Sequence, residues 1–325
     1  MKITLTQIHD TTKAALVAHG AGDMQADEVA TAVAHAESHG NVICGLYYVE
    51  SYCTQLASGR VNGTVQPEVS TPRPGSVYAD ARFGFAQPAF AAARQTALEA
   101  ARANGIASLS VAHAHTCTSL GYFTEQIGRA GLIGIGFTNA SPVVAPPGGN
   151  KAVIGTNPIA MSVPGQGGDL AMHFDSSTSA VALGKITMAK AAGEKIPLGW
   201  AVDESGQPTT DPEAALKGAL VSAGGYKGWG FGLMAEVLAA GVTGSVNSLD
   251  VGGLKLPDGP PHGLGQFYLL IDPGTHGDHF GARFARLAEA IAAQDGARLP
   301  GAARAPMQEV AVDTALWSKI TSLAG

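Results

Sequence analysis

Two strand-like stretches joined by a short turn constrain the fold of this chain more than any other feature. Residues 158–165 (PIAMSVPG) and 169–177 (DLAMHFDSS) have the apolar character of strands, and the segment that joins them is rich in glycine. A parallel pair would need a crossover of about a dozen residues or more, so this spacing favours antiparallel pairing. A doubly wound parallel sheet would not show such a pair here.

The rest of the chain alternates between helical and strand patterns. Residues 106–138 contain strand, helix and strand patterns in turn, which predicts a β-α-β unit, and the apolar stretch 265–273 predicts another strand. Helical spacing of apolar residues occurs at 4–20, 26–39, 45–59, 87–103, 178–192, 226–240, 279–294 and 309–322. We therefore predict an α/β protein with a mixed sheet and a helical layer built from both termini.

Composition excludes several functional classes. The 325 residues are 46% hydrophobic, which is enough for a large core, and the net charge of −6 with only 20 Lys and Arg argues against a nucleic-acid surface. The N-terminus lacks the apolar core of a signal peptide, and the longest apolar stretch is too short for a bilayer and contains Glu236. Three cysteines without a Cys-x-x-Cys pair predict a cytoplasmic protein with no disulfide and no structural metal.

Neither standard phosphate-binding motif is present. The Gly-x-Gly pairs at 134–136 and 230–232 lack the third glycine of the dinucleotide fingerprint, and Thr156 follows a glycine without the lysine of a P-loop. The glycine-rich stretch 145–160, APPGGNKAVIGTNPIA, is therefore either a surface loop or a loop of another kind that holds a ligand.

Two histidines near the end of a predicted helix are candidates for chemistry. His35 and His39 are four residues apart and share a helix face, so a metal site is conceivable, although a partly exposed helical histidine is the ordinary interpretation. His39 lies in the last turn, where the helix dipole favours an imidazolium, and Ser38 is placed to orient its ring. A histidine in this position is a credible proton donor.

Polar residues cluster at predicted strand-to-helix junctions. The turn 115–120 precedes a helix and suits an anion at the helix N-terminus, although ordinary N-capping by Thr118 or Ser119 would explain it equally. Residues 174–185 place an aspartate, serines and a lysine at a similar junction. Lys227 stands between glycines at the start of a helix, and Arg298 and Arg304 form either a ligand site or a solvated basic corner.

Seven stretches together resemble the malate/L-lactate dehydrogenase family that is unrelated to Rossmann dehydrogenases. They run in order over most of the chain: SHG at 38–40, TSLGY at 118–122, FTNASPVVAPPGG at 137–149, GTNPIA at 155–160, FDSSTSAVALGK at 174–185, GGYKG at 224–228 and RLPG at 298–301. The resemblance implies a homodimer that binds NADH or NADPH on a mixed, largely antiparallel sheet. It also implies a cofactor domain at 106–273 and a helical, substrate-binding and dimerisation domain at 1–105 plus 274–325.

The resemblance also implies roles for individual residues. His39 would be the proton donor, Ser38 its relay partner, and Lys185 an assistant to the relay. Tyr47, His115 and Thr156 would lie on the substrate side. The residues expected at the cofactor are Thr116, Cys117, Thr118, Ser119, Leu120, Asp175, Ser176, Ser177, Lys227, Arg298, Pro300, Gly301 and Arg304. We expect no metal.

Two departures from the family pattern concern the substrate. Ile43 stands where many members have an arginine that pairs with the substrate carboxylate, and His115 lies about one residue earlier than usual before the cofactor turn. This version of the turn is similar to that of sulfolactate-type dehydrogenases.

The choice of cofactor remains open, because Asp175 would favour NADH whereas Arg298 or Arg304 would favour NADPH. Three functions also remain open. The first is hydride transfer between the nicotinamide and a small 2-oxo acid or 2-hydroxy acid such as malate, lactate or sulfolactate. The second is reduction of a cyclic ketimine, Δ1-piperideine-2-carboxylate or Δ1-pyrroline-2-carboxylate. The third is a binding protein that has kept the fold without activity. The first is favoured over the second, and a small carboxylate is the expected ligand in both.

Overall fold

A computed structural model describes residues 1–302 and 306–325, so the predicted cofactor residue Arg304 lies outside the described residues. The α-helices are α1 Leu5–Ala18, α2 Asp23–Ser38, α3 Val49–Ala57, α4 Ala86–Asn104, α5 Gly121–Arg129, α6 Leu183–Ala192, α7 Pro212–Lys217, α8 Tyr226–Glu236, α9 Phe280–Ala292 and α10 Thr314–Ala324. The strands are β1 Lys2–Thr4, β2 Glu68–Arg73, β3 Ser76–Asp80, β4 Ile106–Ala114, β5 Ile133–Thr138, β6 Ile159–Pro164, β7 Leu170–Ser176, β8 Ala201–Val202, β9 Pro208–Thr209, β10 Ala219–Leu220, β11 Leu264–Ile271 and β12 Glu309–Ala311.

The main sheet has seven strands in the order β2-β3-β4-β11-β5-β6-β7. Only β3 and β4 pair in parallel, and all other neighbours are antiparallel, which confirms the mixed, largely antiparallel sheet. The predicted hairpin is β6-β7, with Met161 opposite Phe174. The predicted β-α-β unit is β4-α5-β5, but β11 lies between its two strands and pairs with both.

The two ends of the chain form one layer. Strand β1 pairs antiparallel with β12, and the core of this layer joins Ile8 and Leu16 of α1 to Val310 and Ile320. The helical layer from both termini is therefore confirmed. Leu109 and Phe123 belong to a separate core between the main sheet and its helices.

Three local features differ from the sequence prediction. The helix expected over 309–322 begins only at Thr314, because residues 309–311 pair with β1 and Asp313 caps the helix by accepting a hydrogen bond from Leu316 N. The hairpin β2-β3 and the small sheet β8-β9-β10 were not predicted. The predicted domain boundary at residue 105 separates β3 from β4, which pair in one sheet, and the division into two domains stays a prediction.

A pair of stacked histidines is buried behind the turn that follows β4. The rings of His115 and His262 lie 4.0 Å apart between centroids, and each residue is only 2% exposed. His115 Nε2 lies 2.6 Å from Gln55 Oε1, and Thr116 N donates to His262 Nδ1 at 3.3 Å. Burial lowers the pKa of His262 to about 3, with a further contribution from the charge of Arg60, and burial also lowers the pKa of His115 well below its ordinary value.

These lowered pKa values make acid destabilising. The unfolded chain binds protons at both histidines below a pKa near 6.5, whereas the folded chain does not. The contribution of the two histidines to stability is therefore fully present above pH 6.5 and falls as the pH falls below 6.5, by up to about 1.4 kcal/mol per pH unit for each histidine. For His262 the loss continues to about pH 3. We expect His262→Gln to reduce the slope of unfolding free energy against pH between 6.5 and 5 in urea titrations.

The matched control is His276→Gln, because His276 is exposed and its surroundings change little on unfolding. It should keep the wild-type slope. An equal slope in wild type and His262→Gln would show that the stacked pair does not carry the acid sensitivity.

Candidate active site

His39 forms the C-cap of helix α2 and has non-helical backbone angles, φ −97° and ψ 5°. Its Nδ1 atom lies 3.0 Å from the carbonyl oxygen of His35 and 2.9 Å from Ser38 Oγ. The Ser38 hydroxyl donates in turn to the same carbonyl at 2.7 Å. The end of the helix therefore holds the imidazole ring through one nitrogen.

These contacts decide which nitrogen of His39 is available for chemistry. A carbonyl oxygen only accepts hydrogen bonds, so Nδ1 carries the proton that faces His35. The Nε2 atom makes no hydrogen bond to the described part of the chain, and His39 is half-buried in the wall of a cleft. Nε2 is therefore the atom that can give a proton to, or take one from, a bound molecule.

An ionised carboxylate supports the two histidines from the adjacent helix. Glu125 on α5 lies 2.8 Å from His35 Nε2 through one oxygen and accepts from Arg129 Nε at 2.8 Å through the other. Burial raises the pKa of Glu125, but His35 and Arg129 together outweigh that effect and lower it from 4.5 to about 2. The His35 ring lies against His39, with 4.3 Å between centroids.

The cleft has a volume of about 640 Å³ and lies between α2, α5, β7 and the segment after α9. It brings together six of the predicted site residues: His39, Ser119, Asp175, Arg298, Pro300 and Gly301. The last segment docks on β7, where His173 N donates to the carbonyl oxygen of Pro300 at 3.1 Å. The proton-transfer candidate and a large part of the predicted cofactor site therefore share one cavity.

Asp175 joins strand β7 to the N-terminus of α5. Its Oδ2 atom accepts from Gly121 N at 2.8 Å and from Ser119 Oγ at 3.3 Å. Asp175 reaches the solvent of the cleft, but protein surrounds most of its carboxylate, and this desolvation raises the pKa of Asp175. The hydrogen bonds from Gly121 and Ser119 oppose the rise. A β-carbon at Gly121 would lie 2.8 Å from His173 Nε2, so this close approach requires glycine.

The other predicted residues of the turn lie behind the cleft. Thr116, Cys117 and Leu120 are buried, and Thr118 has a left-handed backbone with φ +60°. Gln87 Nε2 and the Thr118 hydroxyl both donate to the Cys117 carbonyl, at 3.4 and 2.7 Å. These contacts fix the path of the turn, and direct cofactor contact by its members stays a prediction.

Tyr47 lies beside a cation that the sequence did not predict. The ammonium nitrogen of Lys255 lies 3.4 Å from the centroid of the Tyr47 ring and 5.2 Å from that of Tyr48. Ile43, at the position of the arginine expected from the family, is 39% exposed and apolar. Tyr47 and the buried His115 remain predicted substrate residues.

The GTNP segment is held by a buried polar network. Asn157 has φ +34° and is fully buried, and its Nδ2 atom donates to Glu236 Oε2 at 2.7 Å and to the Gly232 carbonyl at 3.1 Å. Ser248 Oγ donates to the same Glu236 oxygen at 2.5 Å. The network fixes the backbone at Thr156, which is half-buried and whose carbonyl accepts from Thr178 N.

Four other predicted residues do not line the cleft: Ser176, Ser177, Lys185 and Lys227. Lys185 and Lys227 are exposed in the first turns of α6 and α8. Their assignment to catalysis and to the cofactor stays a prediction.

Sequence reasoning missed Glu125 and His173 in the cleft. Glu125 belongs to the helix YFTEQIGR, where its burial depends on α2 and α5 packing together, and the sequence holds no sign of that contact. His173 lies two residues before Asp175 in β7, so strand alternation could have placed both side chains on one face.

Comparison with known proteins identifies the family of this chain. A sequence model of the malate/L-lactate dehydrogenase family matches residues 3–320. The chain belongs to the malate/L-lactate dehydrogenase family. It is an NAD(P)-dependent oxidoreductase.

Individual members of the family are similar over nearly the whole chain. A (2R)-3-sulfolactate dehydrogenase (NADP(+)) of Chromohalobacter salexigens is 38% identical over 303 residues, covering 93% of this chain and 90% of that protein. A Δ1-pyrroline-2-carboxylate/Δ1-piperideine-2-carboxylate reductase of Pseudomonas putida is 37% identical and covers 96% of this chain and 92% of its own length. The solved Δ1-piperideine-2-carboxylate reductase of Pseudomonas syringae pvar. tomato has a TM-score of 0.92 at 34% identity, with 99% of each chain covered.

The cleft suits the cofactor that the family implies. A dinucleotide needs a long cavity with a cation for its phosphates and hydroxyl partners for its sugars, and the cleft offers Arg298 and Ser119 in about 640 Å³. Within residues 1–302 and 306–325, no helix is both long and apolar enough to cross a lipid bilayer.

Proposed function

We propose that this oxidoreductase reduces the C=N bond of a small cyclic imine carboxylate with NADPH and that His39 supplies the proton. The observation that carries the proposal is the geometry of His39 in the cleft wall: its Nδ1 atom is tied to the helix end, and its Nε2 atom has no hydrogen-bond partner among residues 1–302 and 306–325. Arg298 and Ser119 would hold a dinucleotide in the cleft, and its nicotinamide would supply the hydride for the substrate carbon. The chain positions the substrate and handles one proton.

The proton passes through one nitrogen. Proton donation in the reducing direction requires the imidazolium form of His39, with Nδ1 bonded to the His35 carbonyl and the transferable proton on Nε2. The dipole of α2 favours this cation at the helix C-terminus. Nε2 gives its proton to the substrate atom that gains charge, and Ser38 and the His35 carbonyl hold the ring in place.

The surroundings of Ile43 support the imine over a dicarboxylate. Ile43 presents a hydrocarbon where an arginine would pair with a carboxylate, and the thiols of the half-buried Cys44 and the buried Cys117 stay neutral because desolvation raises the pKa of each to about 12. The methylene groups of a cyclic imine suit such a wall. The reductases named among the relatives support the same assignment.

A 2-oxo acid is the second candidate. The sulfolactate dehydrogenase at 38% identity supports it, and Lys255, held above Tyr47, offers a cation for an acidic group. The proton transfer by His39 would be the same, with an oxygen atom as its acceptor.

NADPH is the proposed cofactor because of two contacts. Arg298 lies in the cleft, where a guanidinium can pair with the 2′-phosphate of NADPH. Asp175, which could otherwise receive the ribose hydroxyls of NADH, has one oxygen already bound to Gly121 N and Ser119. The named cofactor of the sulfolactate dehydrogenase supports the same choice.

The test of the function is a substrate panel. We expect rapid loss of NADPH absorbance with Δ1-piperideine-2-carboxylate and Δ1-pyrroline-2-carboxylate, and slower loss with NADH. Pyruvate, oxaloacetate and sulfopyruvate form the comparison set. Turnover of the oxo acids alone would reject the imine in favour of the second candidate, and cofactor binding with no turnover of any compound would reject both.

Removal of the proton donor tests the mechanism. We expect His39→Gln to lower kcat by about 10²- to 10⁴-fold, because general acid catalysis contributes that much. The affinity for NADPH, followed by cofactor fluorescence, should stay near wild type. His276→Gln is the control for a change of histidine elsewhere, and a His39→Gln protein with wild-type kcat would remove His39 from the mechanism.

We further propose that the enzyme resides in the cytoplasm, and its three free cysteines support this location. We also propose that the enzyme is a homodimer whose interface buries helix α9. The 13 residues of α9 are all described and none is buried, although Phe280 and Phe284 stack at 6.0 Å and Leu287 continues the same face. A helix this short is marginal in water without packing. A second copy that covers the apolar face would stabilise it.

Light scattering after gel filtration tests the dimer. Leu287→Glu places a charge on the apolar face of α9 and should shift the protein towards monomer. The segment after α9, which lines the cleft, should then lose support, and NADPH binding should weaken. Arg286→Glu, one position away, is the matched control and should stay dimeric. A wild-type monomer would contradict the assignment.

A further inference from the structure

Three side chains in the cleft form the ligand set of a transition-metal site. One ring nitrogen each of His35 and His39 and one carboxylate oxygen of Glu125 lie within 4.8 Å of one another. Two histidines and a glutamate, with a further position left open, are the protein ligands of several zinc sites. Of these atoms, His35 Nε2 and Glu125 Oε2 lie 2.8 Å apart.

The separations need little change to hold zinc. Ligand atoms at about 2.0–2.1 Å in a tetrahedron lie about 3.3 Å apart. The 2.8 Å pair must open by a fraction of an ångström, and any separation near the 4.8 Å limit must close by up to about 1.5 Å, which small adjustments of the Glu125 and half-buried His39 side chains can provide.

Two of the three ligands, His39 and Glu125, have outer contacts like those of a metal site, whereas the buried Nδ1 atom of His35 has no hydrogen-bond partner among the described residues. His39 Nδ1 is bound to the His35 carbonyl and to Ser38 Oγ, which leaves Nε2 available and orients the ring. Arg129 holds the second oxygen of Glu125 at 2.8 Å and fixes the carboxylate. Its guanidinium also opposes a bound cation, so the site should favour an ion that binds imidazole strongly over one held by charge alone.

We propose that His35, His39 and Glu125 form a Zn²⁺ site whose occupation stops the reaction. Imidazole nitrogens suit zinc, whereas Mg²⁺ prefers oxygen ligands, so the site discriminates between the two ions. The regulatory half of the proposal rests on the proposed function, because the lone pair of His39 Nε2 that binds zinc is the one that carries the catalytic proton. The same constellation would thus serve catalysis when free of metal and inhibition when occupied.

Binding is measured first, without reference to activity. Protein treated with a chelator is titrated with Co²⁺ while the visible absorption is recorded, and with Zn²⁺ by calorimetry. We expect one ion per chain and no band from sulfur-to-metal charge transfer. His35→Gln and Glu125→Gln should each weaken binding by more than the about 10–100-fold that loss of an outer contact causes. Circular dichroism confirms that each variant is folded.

Two control variants separate this site from others. Cys44→Ser removes the half-buried thiol of the neighbouring segment. His113→Asn removes a histidine that pairs with Asp80 at 3.0 Å and that has no third ligand near it among the described residues. Both should bind Co²⁺ as wild type does. Loss of binding in Cys44→Ser, or wild-type binding in folded His35→Gln and Glu125→Gln, would overturn the site.

The inhibitory role is tested with whichever substrate the panel identifies. Zn²⁺ should abolish turnover of the wild-type enzyme at the concentration that saturates the calorimetric site, whereas Mg²⁺ should have no effect. Binding at the three residues with unchanged turnover would contradict the regulatory role and leave only a metal site. Failure of every substrate with metal-free enzyme would instead reject the proposed function, and the Co²⁺ titration would still decide the site.

Discussion

The hydrogen bond from Gly121 N to the Asp175 carboxylate is the contact on which the cleft depends. It ties the edge strand β7 to the first residue of α5, and therefore links the outermost strand of the sheet to the helix that supplies Glu125. A carboxylate at a helix N-terminus also satisfies an amide that has no partner within the helix. The lack of a side chain at Gly121 allows His173 and Asp175 to approach. Ser119 Oγ donates to the same carboxylate oxygen and strengthens this link between the wall that carries β7 and the wall that carries α5.

The second support of the site is the end of helix α2. A helix end leaves carbonyl groups without internal partners, and here the His35 carbonyl receives the Ser38 hydroxyl and the His39 ring. The His35 carbonyl therefore orients the His39 ring through Nδ1, as a carboxylate orients the catalytic histidine in many enzymes. The nearby carboxylate, Glu125, is instead engaged by His35 and Arg129.

Local sequence patterns predicted the parts of the fold that depend on short-range order. The turn between β6 and β7 is too short for any other pairing, and the helices around His39 and after residue 120 follow apolar spacing. The patterns could not show that β11 pairs between β4 and β5, nor that β12 pairs with β1, because such pairings depend on contacts between distant residues. The same limit applies to the site. Motifs led to His39, Ser119, Asp175 and Arg298, whereas Glu125 acts through a packing contact and Lys255 through a cation–π contact that no local pattern records.

The central position of β11 also determines the order in which the protein can fold during synthesis. Gln266 pairs with Thr138, and Leu269 with Ser108, so the middle of the sheet remains empty until residues 264–271 have left the ribosome. Until then β4 and β5 expose unpaired edges to other nascent chains. Pairings over such sequence distances are slow to form and prone to misassembly. We therefore expect a late, abrupt gain of protease resistance during translation and a marked benefit from chaperones that cover strand edges.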